Sequence, residues 1–157
     1  MPATLQDFGL EKLGCWIKGE YATVVHLRGE CPFGIAYSLP NAWHTKRNVV
    51  YAFVIAGSVR YVGETTAGMA PRFNGYRYGN PLVTDTDNRV KLAITRALQE
   101  KNEVEIWAAQ PVARLVMPNR TELEMPASKP LEEHLIALLS PELNVKVIGN
   151  GNSTIAA

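Results

Sequence analysis

A chain of 157 residues, 46% hydrophobic and 20% charged, can bury a core without disulfides or metals and is too well mixed to be disordered. Its net charge of +1, taken whole, gives no reason to expect a nucleic-acid partner, and no apolar run approaches the roughly 20 residues that cross a bilayer. Cys15 and Cys31 form no Cys-x-x-Cys pair, and with His26 and His44 they lack zinc-finger spacing, so they read as small residues in a reducing compartment. The first residues lack a basic segment followed by an apolar one, which makes the cytoplasm the expected location.

Taken in chain order, residues 1–47 suggest a short helix from Thr4 to Lys12 and a β-like piece from Tyr21 to His26, broken up by Gly29, Pro32, Gly34 and Pro40. They read as an N-terminal extension packing on a core of residues 48–148. From Asn48 to Glu64 the density of β-branched and aromatic residues predicts a hairpin. A three-residue loop at Ala56-Gly57-Ser58 pairs Ile55 with Val59 and Phe53 with Tyr61, which puts Tyr51, Phe53 and Tyr61 on one face. A two-residue loop would send Tyr61 to the other face, because a slip of one inverts every side chain.

Pro71 suits the first turn of a helix running to Tyr78 and ended by Gly79. Thr86 to Gln99 is a second helix, with Val90, Ile94, Ala97 and Leu98 as its apolar stripe. Val104 to Ala109 reads as a strand and Val112 to Met117 as another. Ser128 is placed to cap a helix from Lys129 to Leu139, with Leu131, Leu135 and Leu138 facing inward. Leu143 to Ile148 returns as an extended segment, and 149–157 is a polar, Gly/Asn-rich tail expected to be loose. The sum is an α+β fold with a small central, mostly antiparallel β-sheet flanked by helices.

Charge is distributed unevenly. Between His44 and Arg96 stand Lys46, Arg47, Arg60, Arg72, Arg77, Arg89, Lys91 and Arg96, against Glu64, Asp85 and Asp87; eight less three leaves +5. A local basic region is the electrostatic requirement for gripping phosphates. Lys46, Arg47, Arg77 and Arg89 are the candidate DNA contacts. His44, just before the first strand of the hairpin, is a further possible contact with no motif behind it.

The chemistry-bearing residues are few. Tyr51 and Tyr61 lie on the hairpin, Arg72 and Tyr76 one turn apart on the next helix, and Glu132 near the start of the last one. Phosphodiester hydrolysis needs a deprotonated water, relief of charge on a pentavalent phosphate and a stabilised leaving oxygen. Arg72, always protonated, can meet phosphate oxygens bidentately. Glu132 is a hard oxygen ligand suited to one Mg²⁺ that keeps most of its waters. Tyr51 is the candidate general base; from a reference pKa of about 10 it would need a downward shift of about three units, supplied by nearby cations. Tyr61 could position the water, and Tyr76 lies within reach of the phosphate. Glu133 is the rival metal ligand, whereas His134 points away from Glu132. One carboxylate points to a single-ion mechanism.

Val49-Val50-Tyr51 and Tyr61-Val62-Gly63, with Arg72-x-x-x-Tyr76, Leu131-Glu132 and Pro141-x-x-Asn144 in order, resemble the signature of the GIY-YIG nuclease superfamily over roughly two thirds of the chain. Val49 stands where the family carries a glycine. The pattern is closest to the compact type II restriction endonucleases of that superfamily, in which a lysine can replace the second signature tyrosine. The resemblance implies that Asn144 helps order the site, and its spacing favours Glu132 over Glu133. It also implies a Mg²⁺-dependent endonuclease, with Mn²⁺ as a substitute, cutting double-stranded DNA to leave 5′-phosphate and 3′-hydroxyl ends. A homodimer is expected, because cutting both strands takes two sites. A nuclease that nicks one strand and a silent DNA-binding module are the alternatives.

Overall fold

The computed structural model describes residues 3–19, 33–78, 86–146 and 155–156. The helix α1 (Ala3–Asp7) leads into β1 (Glu11–Lys18), then β2 (Ile35–Ser38), a 3-10 turn (Asn41–Trp43), and the hairpin β3 (Val49–Ile55) and β4 (Ser58–Thr65). Next come α2 (Met69–Arg77), α3 (Thr86–Gln99), β5 (Val104–Ala109), β6 (Val112–Val116), β7 (Glu122–Pro126) and α4 (Ser128–Leu139). A second 3-10 turn (Glu142–Asn144) and the short strands β8 (Val145–Lys146) and β9 (Ile155–Ala156) follow.

The main sheet has the order β2-β1-β5-β3-β4, with every neighbouring pair antiparallel. All seven residues of β3 are buried, which is why its sequence is an unbroken apolar run. Its side chains still alternate between two cores. Val49, Tyr51, Phe53 and Ile55 join Trp16, Phe73, Tyr76, Val90 and Ile94 beneath α2 and α3. Val50, Ala52 and Val54 join Leu5, Leu10, Trp107, Leu135 and Ile136 beneath α1 and α4. Helices therefore cover both faces of an α+β structure. No helix among the described residues is long and apolar enough to cross a membrane.

Several expectations change. The first helix ends at Asp7, and Glu11 to Lys18 is a strand lying between β2 and β5. Residues 1–47 thus supply two of the sheet's five strands, and Trp16 stacks on Phe73 with ring centroids 5.5 Å apart. The β-like piece at Tyr21–His26, Cys31 and Gly79 lie outside the described residues. Ser128 does not cap α4; its hydroxyl donates to Glu64 at 2.8 Å. Leu138 is exposed, and Ile136 takes the inward place expected of it. The tail is not entirely loose, since Ile155–Ala156 pairs antiparallel with Val145–Lys146. Glu122–Pro126, read as no element from sequence, forms a hairpin with β6.

Candidate active site

The hairpin reaches the anticipated face by a different route. Its turn is only Ala56-Gly57, both at positive φ (51° and 82°), as a type I′ turn demands, so Ile55 faces Ser58 rather than Val59. A bulge then intervenes: Val54 faces Val59 but Phe53 faces Tyr61, leaving Arg60 as the extra residue. The bulge restores the register that a two-residue turn alone would have inverted. Tyr51, Phe53 and Tyr61 therefore share the face beneath α2 and α3.

Tyr51 faces Gly63 across the strands, and its phenol lies directly over that glycine. A Cβ at residue 63 would stand 2.6 Å from both the ring carbon bearing the hydroxyl and the hydroxyl itself. Gly63 is thus a matter of space. Gly63→Ala is expected to cost about 1–3 kcal/mol by overpacking and to push the Tyr51 ring aside, read as a lower urea midpoint at an unchanged m-value.

From α2, Tyr76 enters the same core and bridges the two strand tyrosines. Its hydroxyl is 2.6 Å from that of Tyr51 and donates to that of Tyr61 at 3.2 Å. Arg72, one helical turn earlier, lays its guanidinium 4.4 Å over the Tyr76 ring and is near enough to pull the Tyr61 phenol down. The other side of Arg72 is held by Asp87 of α3 at 2.9 Å. Gly75 has the reason that helix propensity alone could not supply: a Cβ there would lie 3.0 Å from Asp87 Oδ2 and 3.2 Å from Arg72 Nη1. Asp87 was missed by sequence reasoning. Its pairing crosses from one helix to another and leaves no local spacing to find.

Glu132 approaches from α4 and is 9% exposed. Lys129 donates to its Oε1 at 2.8 Å, and its carboxylate lies close enough to push the Tyr51 and Tyr61 phenols up. Glu133 is exposed. Asn144 does not enter the cluster. It lies along β4, the outer strand of the sheet, accepting from the Val62 N–H at 2.8 Å and donating to the Val62 C=O at 2.7 Å. Those bonds satisfy edge groups that no further strand among the described residues pairs, and they pin the strand between Tyr61 and Gly63.

The electrostatics overturn one expectation. Tyr51 was to be held partly ionised by cations; instead burial, with Tyr61 adding to it, drives its pKa far upward, and Arg72 and the Tyr76 hydrogen bond only oppose this. Burial likewise raises Tyr76 and Tyr61, Arg72 and the hydrogen bonds pulling Tyr61 back in part. Burial opposes the Arg72 charge, but Tyr51 when ionised and the hydrogen bond that Arg72 donates to Asp87 outweigh it. Because Tyr51 stays neutral at ordinary pH, Asp87 is the operative partner there.

The sign of the pH dependence follows. A phenol whose folded pKa lies above its unfolded value costs nothing below about pH 10 and weakens the fold as the unfolded chain ionises above it. Three such phenols should make stability fall by up to about 4 kcal/mol per pH unit once well above pH 10. Tyrosinate absorbance at 295 nm should show Tyr51, Tyr61 and Tyr76 silent until the chain unfolds. Titration of all six tyrosines near pH 10 with the fold intact would contradict this burial.

The candidate DNA contacts lie outside this cluster's hydrogen-bonded centre. Lys46 rests its ammonium 4.5 Å over Trp43, Arg47 donates to the Thr66 carbonyl at 3.0 Å, and Arg77 lies 5.1 Å over Tyr78. Arg89 donates to the Leu143 carbonyl at 3.0 Å and, with Arg60 and Arg96, lines a cleft of about 360 Å³. That cleft does not include Tyr51, Arg72 or Glu132, so chemistry and not volume locates the candidate site. The His44 ring packs on Tyr37, and the His134 ring on Phe8, 5.2 Å away.

No protein-family model matches the chain, and no curated protein matches its sequence. Among solved structures, it is similar to that of a mutant of bacteriophage T4 EndoII. The TM-score is 0.61 at 23% identity, over 92% of this chain and 98% of that one. The structure of restriction endonuclease HPY188I in complex with product DNA matches at a TM-score of 0.46 and 15% identity, over 97% of this chain and 85% of that one. The first likeness is one of fold and runs nearly end to end through both chains.

Proposed function

We propose that this protein is a Mg²⁺-dependent DNA endonuclease of GIY-YIG type, acting as a homodimeric type II restriction enzyme on a short duplex site. One observation carries the reading. Tyr51 of β3, Tyr61 of β4 and Tyr76 of α2 share hydrogen bonds, Arg72 of α2 lies over the Tyr76 ring, and the Glu132 carboxylate of α4 is near enough to act on two of the phenols. Buried polar side chains are costly, and packing alone gives no reason to bring an arginine, a carboxylate and three phenols together from four elements. The likeness in fold to bacteriophage T4 EndoII points the same way.

In this reading Arg72 grips the scissile phosphate and counters the charge that grows on it, pre-aimed by Asp87 and by the Tyr76 ring. Tyr61, the least buried of the three phenols, orients the attacking water. Tyr51 and Tyr76 hold Tyr61 in place from behind. Neither can serve as a resting phenolate, because burial keeps both protonated.

The residues fit a hard divalent cation. Glu132 is a carboxylate at the rim of the cluster, and its partner Lys129 is exposed and can swing away. Bound there, Mg²⁺ supplies a Lewis acid for the leaving 3′-oxygen. Among the described residues no group of three or more His, Cys, Asp or Glu comes together, so a site here rests on Glu132 and water.

Supercoiled plasmid incubated with the protein and Mg²⁺ tests the proposal. Discrete linear fragments support a restriction enzyme, and nicked circles alone support the strand-nicking alternative. DNA left intact in both Mg²⁺ and Mn²⁺ refutes the nuclease reading and leaves a binding module.

A further inference from the structure

The cleft of about 360 Å³ at the hairpin turn is lined by three guanidinium groups that arrive from two elements. Arg60 comes from β4, where it is the extra residue of the bulge. A bulge re-aims its side chain, and here that side chain leaves the ladder's alternation and lines the cleft. Arg89 and Arg96 stand two helical turns apart on one face of α3. Against them stand two carboxylates, Glu100 and Glu142, so the lining keeps a net positive charge. Ile55, Leu92 and Leu143 add an apolar wall.

These arginines are short of partners. Arg60 Nε lies 3.1 Å from Glu142 Oε2, but it is buried and makes no hydrogen bond among the described residues. Glu142 is 69% exposed, so its carboxylate can swing into water and give way to another anion. Arg89 donates to the Leu143 carbonyl at 3.0 Å through one of the five N–H groups that a guanidinium carries. Arg96 is exposed and forms no ion pair among the described residues. Forked guanidinium groups meet phosphate oxygens two at a time, and the apolar wall suits the sugar that carries the phosphate. The cleft also adjoins the phenol and arginine cluster along both elements. Arg60 directly precedes Tyr61, and Arg89 stands two residues after Asp87, which holds Arg72.

We propose that this cleft is a second phosphate site, in which Arg60, Arg89 and Arg96 hold a sugar-phosphate of the bound DNA other than the one that is cut, Glu142 yielding its place on Arg60. The inference rests on the nuclease reading for the source of the phosphate, but its test reads binding rather than cleavage. Cleavage with unaltered binding in the variants would sink the cleft alone; altered binding without cleavage would sink the nuclease alone. Anisotropy of a labelled duplex, with Ca²⁺ in place of Mg²⁺, gives affinity against salt concentration. Arg89→Gln with Arg96→Gln should weaken binding by about tenfold and lower the salt slope by about 1, as the loss of one phosphate contact does. Glu142→Gln should instead tighten binding by about two- to fivefold, because it removes the anion that competes for Arg60. A pair that served the fold alone would not give that sign.

Should the double arginine variant fail to fold, Glu142→Gln, made at an exposed side chain, decides alone. Unchanged duplex affinity in Glu142→Gln overturns the proposal, and so does an unchanged salt slope in a folded double variant. Arginine side-chain N–H resonances of the wild type, followed by NMR, should move on adding duplex. If they move with inorganic phosphate and not with duplex, the cleft belongs to a free anion and the proposal is overturned.

Discussion

Arg72→Ala is expected to slow DNA cleavage by roughly 10²- to 10³-fold, the usual cost of removing one preorganised donor from a developing anionic centre. The fold should survive. The Arg72–Asp87 pair is partly exposed on both sides, so its loss removes at most about 1 kcal/mol. Arg72→Lys should recover little, because an ammonium can neither fork onto two phosphate oxygens nor lie flat on the Tyr76 ring while reaching Asp87. Single-turnover kinetics on an end-labelled duplex separates the rate of chemistry from the affinity for DNA. A lysine variant close to wild type would show that Arg72 acts only as a point charge.

Glu132→Gln is expected to reduce cleavage by on the order of 10³-fold or more, since losing several kcal/mol of metal assistance costs a decade for every 1.36 kcal/mol. Glutamine keeps the shape and removes the charge, and Lys129, exposed as it is, loses little by it. Glu133→Gln should cleave like wild type, because Glu133 is exposed and Glu132 is the carboxylate that the Tyr51 and Tyr61 phenols feel. Measuring both variants across a Mg²⁺ titration distinguishes them. An active Glu132→Gln beside a dead Glu133→Gln would move the metal ligand by one residue.

Much of the fold was readable in the sequence where burial imposes a period. The helix from Thr86 to Gln99 and the strand from Val104 to Ala109 have the bounds their patterns announced. The strand Glu11–Lys18 escaped because only Trp16 along it is fully buried, so it shows no clean alternation. Glu122–Pro126 does alternate, but its apolar side is exposed and gave no reason to assume a partner strand.

The site shows the same division. Tyr51, Tyr61, Arg72, Tyr76 and Glu132 were singled out by the family resemblance; the three tyrosines and Arg72 come into contact, and Glu132 lies near enough to act on two of the phenols. What spacing could not reveal was the bulge at Arg60, which turns a two-residue loop into the register Tyr61 needs. Nor could it show Asp87 behind Arg72, or Asn144 tied to the backbone of Val62 rather than to the cluster. The direction of the Tyr51 pKa was misjudged for a related reason. Sequence shows which cations stand nearby along the chain, but desolvation depends on how completely the phenol is enclosed, and Tyr51 is fully enclosed.

The central claim is that this cluster receives one backbone phosphate and one divalent ion. A crystal structure with a duplex carrying the site mapped from plasmid fragments, grown in Ca²⁺ to hold an oxygen-ligated ion, tests it most directly. The account requires a phosphate in hydrogen-bond contact with Arg72 beside the Tyr61 hydroxyl, and an ion on the Glu132 carboxylate. A duplex bound with its phosphates remote from Arg72, or an ion held by other residues, would contradict it.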